Sequence, residues 1–193
     1  MPAKEHLHFK LYKPYGLLCQ MGSNDPKEKR EKKFLGELYD FPEGCMAIGR
    51  LDETSEGLLL LTTDGKICDR INRSGIEKEY YAQLDGEITN TAIERLKKGV
   101  EIGFEGIKYQ TKPCIVQRIE DPKHFPKADV KIRAGRHRPS SWVSITVTEG
   151  KFRQIRKMTA VVGFPTLRLV RVRIADFNLE DINLGEVKKI MIP

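Results

Sequence analysis

The sequence predicts an α+β fold, a mixed and mostly antiparallel sheet with flanking helices. Three observations carry this. Strand-like and helix-like segments alternate along the chain with no internal repeat and no low-complexity tract. The segment SWVSITVTEG (141–150) alternates strictly, with Val143, Ile145 and Val147 on one side and Trp142, Ser144 and Thr146 on the other. A length of 193 residues, 39% of them hydrophobic, suffices to bury a core in one domain or in two closely packed lobes.

In chain order, LHFKLYKP (7–14) alternates like a strand, and KFLGELYDF (33–41) places Phe34, Leu35, Leu38 and Tyr39 on one helical face. GRLDETSEGLLLLTTDG (49–65) reads as strand or loop to Asp52, then a polar turn, an apolar strand LLLLT and a second turn. Asp64 is placed to cap a helix over GKICDRINR (65–73), which Ser74 and Gly75 end. KEYYAQLDGEI (78–88) reads as a strand. NTAIERLKKG (90–99) reads as a short helix, with Thr91 and Glu94 at capping-box spacing and Gly99 at its end. Short strand pieces follow at IKYQTKP (107–113) and CIVQRIE (114–120), with a Pro-containing connector EDPKHFPKAD (120–129). After the strand at 141–150, KFRQIRKMTAVVG (151–163) reads as a helix with an apolar face of Phe152, Ile155, Thr159 and Val162, ended by Gly163. TLRLVRVRI (166–174) is then a strand that sends Leu167, Leu169, Arg171 and Arg173 to one face.

Composition narrows the function classes. The longest apolar run is four leucines, far below the roughly 20 residues of a membrane-spanning helix, and MPAKEHLHFKLYKP has no signal-type apolar region. A cytoplasmic protein with no membrane partner is expected. Cys19, Cys45, Cys68 and Cys114 are too far apart in sequence for a zinc knuckle or a redox dithiol, so reduced and mostly buried thiols are expected. The formal charge of +7 fits a polyanionic partner. Basic residues concentrate in PKEKREKKF (26–34), where interleaved acids indicate a solvated loop leading into a helix, in KIRAGRHRPSSW (131–142), and through 149–173. In the second tract Arg133, Arg136, His137 and Arg138 stand beside Gly135 and Pro139 with no acid among them, as a phosphate-gripping loop or simply an exposed one would.

Asp52, Glu53 and Glu56 crowd one turn directly against Leu58–Leu61. Turn chemistry alone accounts for most acidic turns. Here Arg50 and the leucines imply a turn anchored in the core, where a carboxylate can be dry and oriented as a nucleophile or general acid–base requires. Other chemistries fail. GCMAIGR (44–50) lacks the Lys-Ser/Thr of a phosphate loop, and His6 and His8 have no third ligand nearby and read as exposed imidazoles rather than a metal site. There is no Gly-x-Ser-x-Gly elbow and no Gly-x-Gly-x-x-Gly after a strand. A reaction at a carboxylate, without cofactor or metal, remains.

GRLDETSEGLLLLTTDG resembles the motif of the pseudouridine synthases, Gly-Arg-Leu-Asp followed by x-x-Ser/Thr-x-Gly-Leu-Leu. KPYGLLCQ resembles that family's N-terminal strand and turn, KEY its Lys-x-Tyr motif and EGKFRQIRKM its third motif. LKKGVEI and GFPTLRLVRVRI fit in order, so the likeness covers nearly the whole chain and is strongest to the small ribosomal branch. Many members of that branch carry an additional N-terminal RNA-binding domain. Here KPYG begins at residue 13, so a single catalytic domain over 1–193, binding its target through its own basic surface, is expected.

The resemblance implies the family's fold with a central active-site cleft, and isomerisation of a specific uridine to pseudouridine in RNA. The target it implies is 23S ribosomal RNA, bound by a monomer. Asp52 matches the catalytic aspartate, acting either as a nucleophile on the ribose or the base or by promoting elimination to a glycal. Tyr80 matches the tyrosine packed on the target base, and Arg156 the arginine paired with the aspartate. Arg50, Lys78, Arg133, Arg136, Arg138, Arg153, Ile155 and Leu169 are the expected substrate-binding set. A target uridine must be looped out or flipped to be reached. Two alternatives stand beside this: the same activity on another stem-loop, in small-subunit or transfer RNA, and a non-catalytic RNA-binding or ribosome-assembly factor.

Overall fold

The computed structural model describes residues 5–73, 75–132 and 138–193. In chain order these form β1 (His8–Lys13), β2 (Leu17–Leu18), α1 (Pro26–Glu31), β3 (Lys33–Phe34), β4 (Met46–Ile48), β5 (Glu56–Thr62), α2 (Gly65–Arg73), β6 (Lys78–Asp85), α3 (Asn90–Lys98), β7 (Glu101–Phe104) and β8 (Ile107–Gln110). There follow β9 (Ile115–Ile119), β10 (Ser140–Val147), α4 (Gln154–Val161), β11 (Thr166–Ile174), β12 (Phe177–Asn178) and β13 (Val187–Ile190). They divide into two compact units, 1–76 with 177–193 and 77–176.

In the first unit β13, β1, β5 and β4 pair antiparallel. Every residue of β5 is buried, so its four leucines feed both sheet faces. Leu59 and Leu61 join Phe9, Leu11, Leu17 and Leu35 in one apolar cluster. Helix α2 packs on β4 and β5, and its first turn is capped as the sequence predicts, Asp64 accepting from the Lys66 N–H at 2.8 Å. The basic run at 26–34 is itself mostly helix α1, with Pro26 in its first turn and Asp25 accepting from Lys27 and Glu28. The helix expected over 33–41 reduces to a 3-10 turn at Leu35–Glu37. Lys33 and Phe34 are committed to parallel pairing with Leu17 and Leu18, and Leu35 N–H donates to Gln20. Of the four thiols only Cys45 is buried, the other three being half-buried.

In the second unit β11, β6, β10 and β9 pair antiparallel. One sheet face carries Ala82, Leu84, Val143, Ile145 and Leu169 into a core closed by α3 and α4. The opposite face carries Tyr81 and Trp142, on which Phe125 of the 120–129 connector packs at ring distances of 5.8 and 6.1 Å. Buried Arg168 holds that connector, donating to the Pro126 carbonyl at 3.0 Å. Three sequence expectations shift. Thr89, not Thr91, caps α3, since the chain is still extended at Thr89 and Thr91 already lies within the helix. Helix α4 starts only at Gln154 because Arg153 is left-handed at φ 51, which removes Phe152 from the helix and gives its inward place to Met158. A bulge between Arg171 and Arg173 turns Arg173 to the other face, where it meets Glu79 at 3.1 Å.

Gly99 ends α3 at φ +88, and a Cβ there would lie 2.2 Å from the Thr111 carbonyl oxygen. Thr111 is fixed by bonding both the N–H and the carbonyl of Val100. Gly99→Ala should therefore destabilise the protein by about 2–4 kcal/mol, read as a lowered midpoint in chemical denaturation.

Candidate active site

Asp52 sits in a turn closed by the Ser55 N–H donating to the Asp52 carbonyl at 3.0 Å. The backbone on either side is tied down from several directions. Leu51 is buried and its N–H and carbonyl both meet the Cys19 thiol at 3.3 Å. Gly16 N–H donates to the Glu53 carbonyl at 2.8 Å, and the Glu53 carboxylate pairs with Lys32 at 2.8 Å. Beneath the turn lies Lys13, fully buried at the end of β1, with its ammonium donating to Ser55 O at 2.7 Å, Pro14 O at 2.9 Å and Glu53 O at 3.4 Å. Burial pushes this ammonium down to about 8, against the raising influence of Cys19, Glu56, Asp52 and Glu53. It still carries its proton at neutral pH. Ser55 and Glu56 are buried as β5 begins, while Asp52 is half-buried and Arg50 exposed. The turn is thus a polar lid on an apolar strand, with Asp52 and Glu53 half-buried and Glu56 buried.

In the second unit Tyr80 lies on the core-facing side of β6, in register with Ile145 of β10 and Arg171 of β11. Its ring packs on the cluster that contains Ile155 and Leu169. The structure therefore brings Tyr80, Ile155 and Leu169 together, the last two as buried backing. Lys78 lies at the end of β6, its ammonium held below the usual lysine range by burial and then by Arg171. Arg156 on α4 donates to the Thr166 carbonyl at 3.2 Å, and Thr159 links the same elements through Thr166 at 2.7 Å. Arg138 is engaged within the unit, with Asp85 at 3.3 Å and the Gly163 carbonyl at 3.2 Å. Arg153 is half-buried. Arg133 and Arg136 lie outside the described residues.

Among the described residues no cluster of three His, Cys, Asp or Glu side chains forms a metal site. His8 is not exposed: its ring bonds the Thr62 hydroxyl at 2.8 Å. No described helix is long and apolar enough to cross a membrane.

A family model described as RNA pseudouridylate synthase matches residues 8–161, a span that includes the Asp52 turn, Tyr80 and Arg156. The chain belongs to this family. The pseudouridylate synthase is similar to ribosomal large subunit pseudouridine synthase E of Vibrio vulnificus, 38% identical over 94% of this chain and 74% of the relative. To the protein of the same name in Xanthomonas campestris it is 39% identical, over 91% of each chain. Among solved structures it is similar to a crystal structure of pseudouridylate synthase, with TM-score 0.77 and 26% identity over 99% of this chain and 73% of that one. The mixed, mostly antiparallel α+β fold is that of the family, and the protein is an isomerase that forms pseudouridine in RNA.

Sequence reasoning missed Lys13 and Arg171. Both carried a signal. Lys13 shares strand parity with Phe9 and Leu11, which face the core, and Arg171 falls on the apolar side of its strand beside Leu169. A cation at an inward strand position marks a buried polar contact. Below about 8 folded and unfolded chains both protonate Lys13. Between about 8 and the ordinary 10.5 only the unfolded chain holds that proton, so stability rises with pH across this window. Compared with Lys13→Met, which lacks the effect, the wild type should gain up to roughly 3 kcal/mol over that range in urea denaturation. The same variant should lower kcat about 10- to 100-fold by releasing the Asp52 turn.

Proposed function

We propose that the protein isomerises a specific uridine of 23S ribosomal RNA, with Asp52 as the reacting carboxylate. The relatives named as large-subunit synthases support the target. The clamped Asp52 turn carries the assignment of the carboxylate, because an enzyme gains most from a reactive group whose orientation is fixed before substrate arrives.

The reaction breaks the bond from ribose C1′ to uracil N1, turns the base and joins C1′ to C5. The C5 proton leaves and N1 takes one up, so atoms and electrons balance within the substrate. Asp52 acts on the ribose or base as nucleophile, or removes a ribose proton to give the glycal. Tyr80, fixed by the core beneath it, stacks on the flipped uracil, and Ile155 and Leu169 contribute by backing that ring. Arg156, anchored by the Thr166 carbonyl, is the arginine that the family resemblance assigns to the reaction. Arg50, Lys78, Arg138, Arg153, Arg133 and Arg136 supply phosphate contacts. Residues 1–193 act as one catalytic domain, a monomer in the cytoplasm.

Asp52→Ala should lower kcat at least about 10³-fold while RNA affinity stays near wild type; retained activity would remove Asp52 from the mechanism. Carbodiimide mapping of ribosomal RNA, from cells with and without the gene, should show one large-subunit pseudouridine lost. No lost ribosomal site would overturn the target, and a site lost from transfer RNA would replace it.

A further inference from the structure

The second unit carries an aromatic ring that its own packing leaves unused. Residues 149–154 form a tight loop before α4, built around buried Gln154. Its N–H donates to the Lys151 carbonyl at 3.1 Å, its side-chain oxygen accepts from the Lys151 N–H at 3.0 Å, and its amide reaches Glu149 at 2.5 Å. Left-handed Arg153 completes the loop. At the tip stands Phe152, 70% exposed, although burying such a ring is worth roughly 2 kcal/mol.

Two ammonium groups flank this loop, each already seated on aromatic surface. Lys157 donates to the Gly103 carbonyl at 2.7 Å, and its nitrogen lies 3.8 Å from the Phe104 ring centre and 5.5 Å from that of Phe152. Lys151 lies 4.7 Å from the Tyr109 ring centre. Glu149, the neighbouring acid, is occupied by the Tyr109 hydroxyl at 2.6 Å and the Lys112 N–H at 3.0 Å. The patch therefore offers an exposed ring with the Lys157 ammonium beside it and a second ammonium, that of Lys151, on the preceding residue.

We propose that Phe152 is a stacking platform for an unpaired base of the RNA, with Lys151 and Lys157 binding the phosphates on either side. The proposal rests on the RNA-modifying function above. A nucleotide matches all three groups at once, since any base presents a π face and its phosphates an anion. The excess of cations in the chain, +7 overall, favours that polyanion over an apolar protein partner.

The test measures anisotropy of a fluorescein-labelled oligouridylate with the full-length protein and its variants. Phe152→Ala and Phe152→Leu should weaken binding about 5- to 100-fold, and Phe152→Trp should restore it. Met191→Ala, at an exposed apolar residue elsewhere, should bind like wild type. Lys157→Gln should reduce the salt dependence by about one phosphate contact. On a ribosomal RNA transcript the Phe152→Ala loss should fall on KM rather than kcat. Wild-type affinity in Phe152→Ala would overturn the platform; wild-type affinity in Phe152→Leu would replace stacking by a merely apolar contact and overturn it equally. A protein that shows the expected ranking on oligouridylate but modifies no ribosomal RNA would instead sink the proposed target and leave the platform standing.

Discussion

The Lys13 ammonium beneath the Asp52 turn is the constraint on which that corner of the fold depends. Three carbonyls converge on it, two of them from residues 53 and 55. A buried cation is a costly way to hold a loop, since an apolar residue of similar volume usually leaves a protein at least as stable. What an apolar residue cannot do is fix carbonyl directions. By orienting Glu53 and Ser55, Lys13 sets the path of the chain immediately after Asp52, while Cys19 sets it immediately before, at Leu51. The fully buried strand β5 then gives this polar corner a floor that does not yield.

The second unit solves a different problem with the same sheet logic. Its strands divide cleanly into a face that packs on α3 and α4 and a face covered by the 120–129 connector. Tyr80 and Arg171 are paired in register on the first face, next to Leu169. A tyrosine mounted on a central strand and supported by core side chains has little freedom to tilt. The bulge before Arg173 matters here as well. It removes that arginine from the Tyr80 face and spends it on Glu77 and Glu79.

Period-two and capping signals made much of this legible in the sequence. β1 and β10 follow from alternation, β5 from its unbroken apolar run, and α2 and the glycine end of α3 from Asp64 and Gly99, because in each case local preference and tertiary packing agree. Elements that failed were those where tertiary pairing overrode a local pattern. The helical face at 33–41 gave way to pairing with β2, and the helical reading of Phe152 gave way to one left-handed residue. Asp52 stood out through its motif, yet the reason it is rigid did not. Lys13 was visible only as a cation at an inward position, a signal that has meaning once the carbonyls it meets are known.

Net charge illustrates the same gap between sequence and function. The +7 of the chain suggests a broadly basic surface, but many cations are committed inside the fold. Lys13, Arg168 and Arg171 are buried, Lys10 is paired with Asp181 and Lys32 with Glu53. Such groups shape the protein rather than attract a polyanion, since a paired charge projects little field beyond its partner. The charges available to RNA must be sought among those held by neutral surface. Lys151 and Lys157 meet that condition, because each ammonium lies against an aromatic ring. The proposed RNA contacts therefore follow less from how many basic residues the sequence contains than from which of them the fold leaves beside neutral surface.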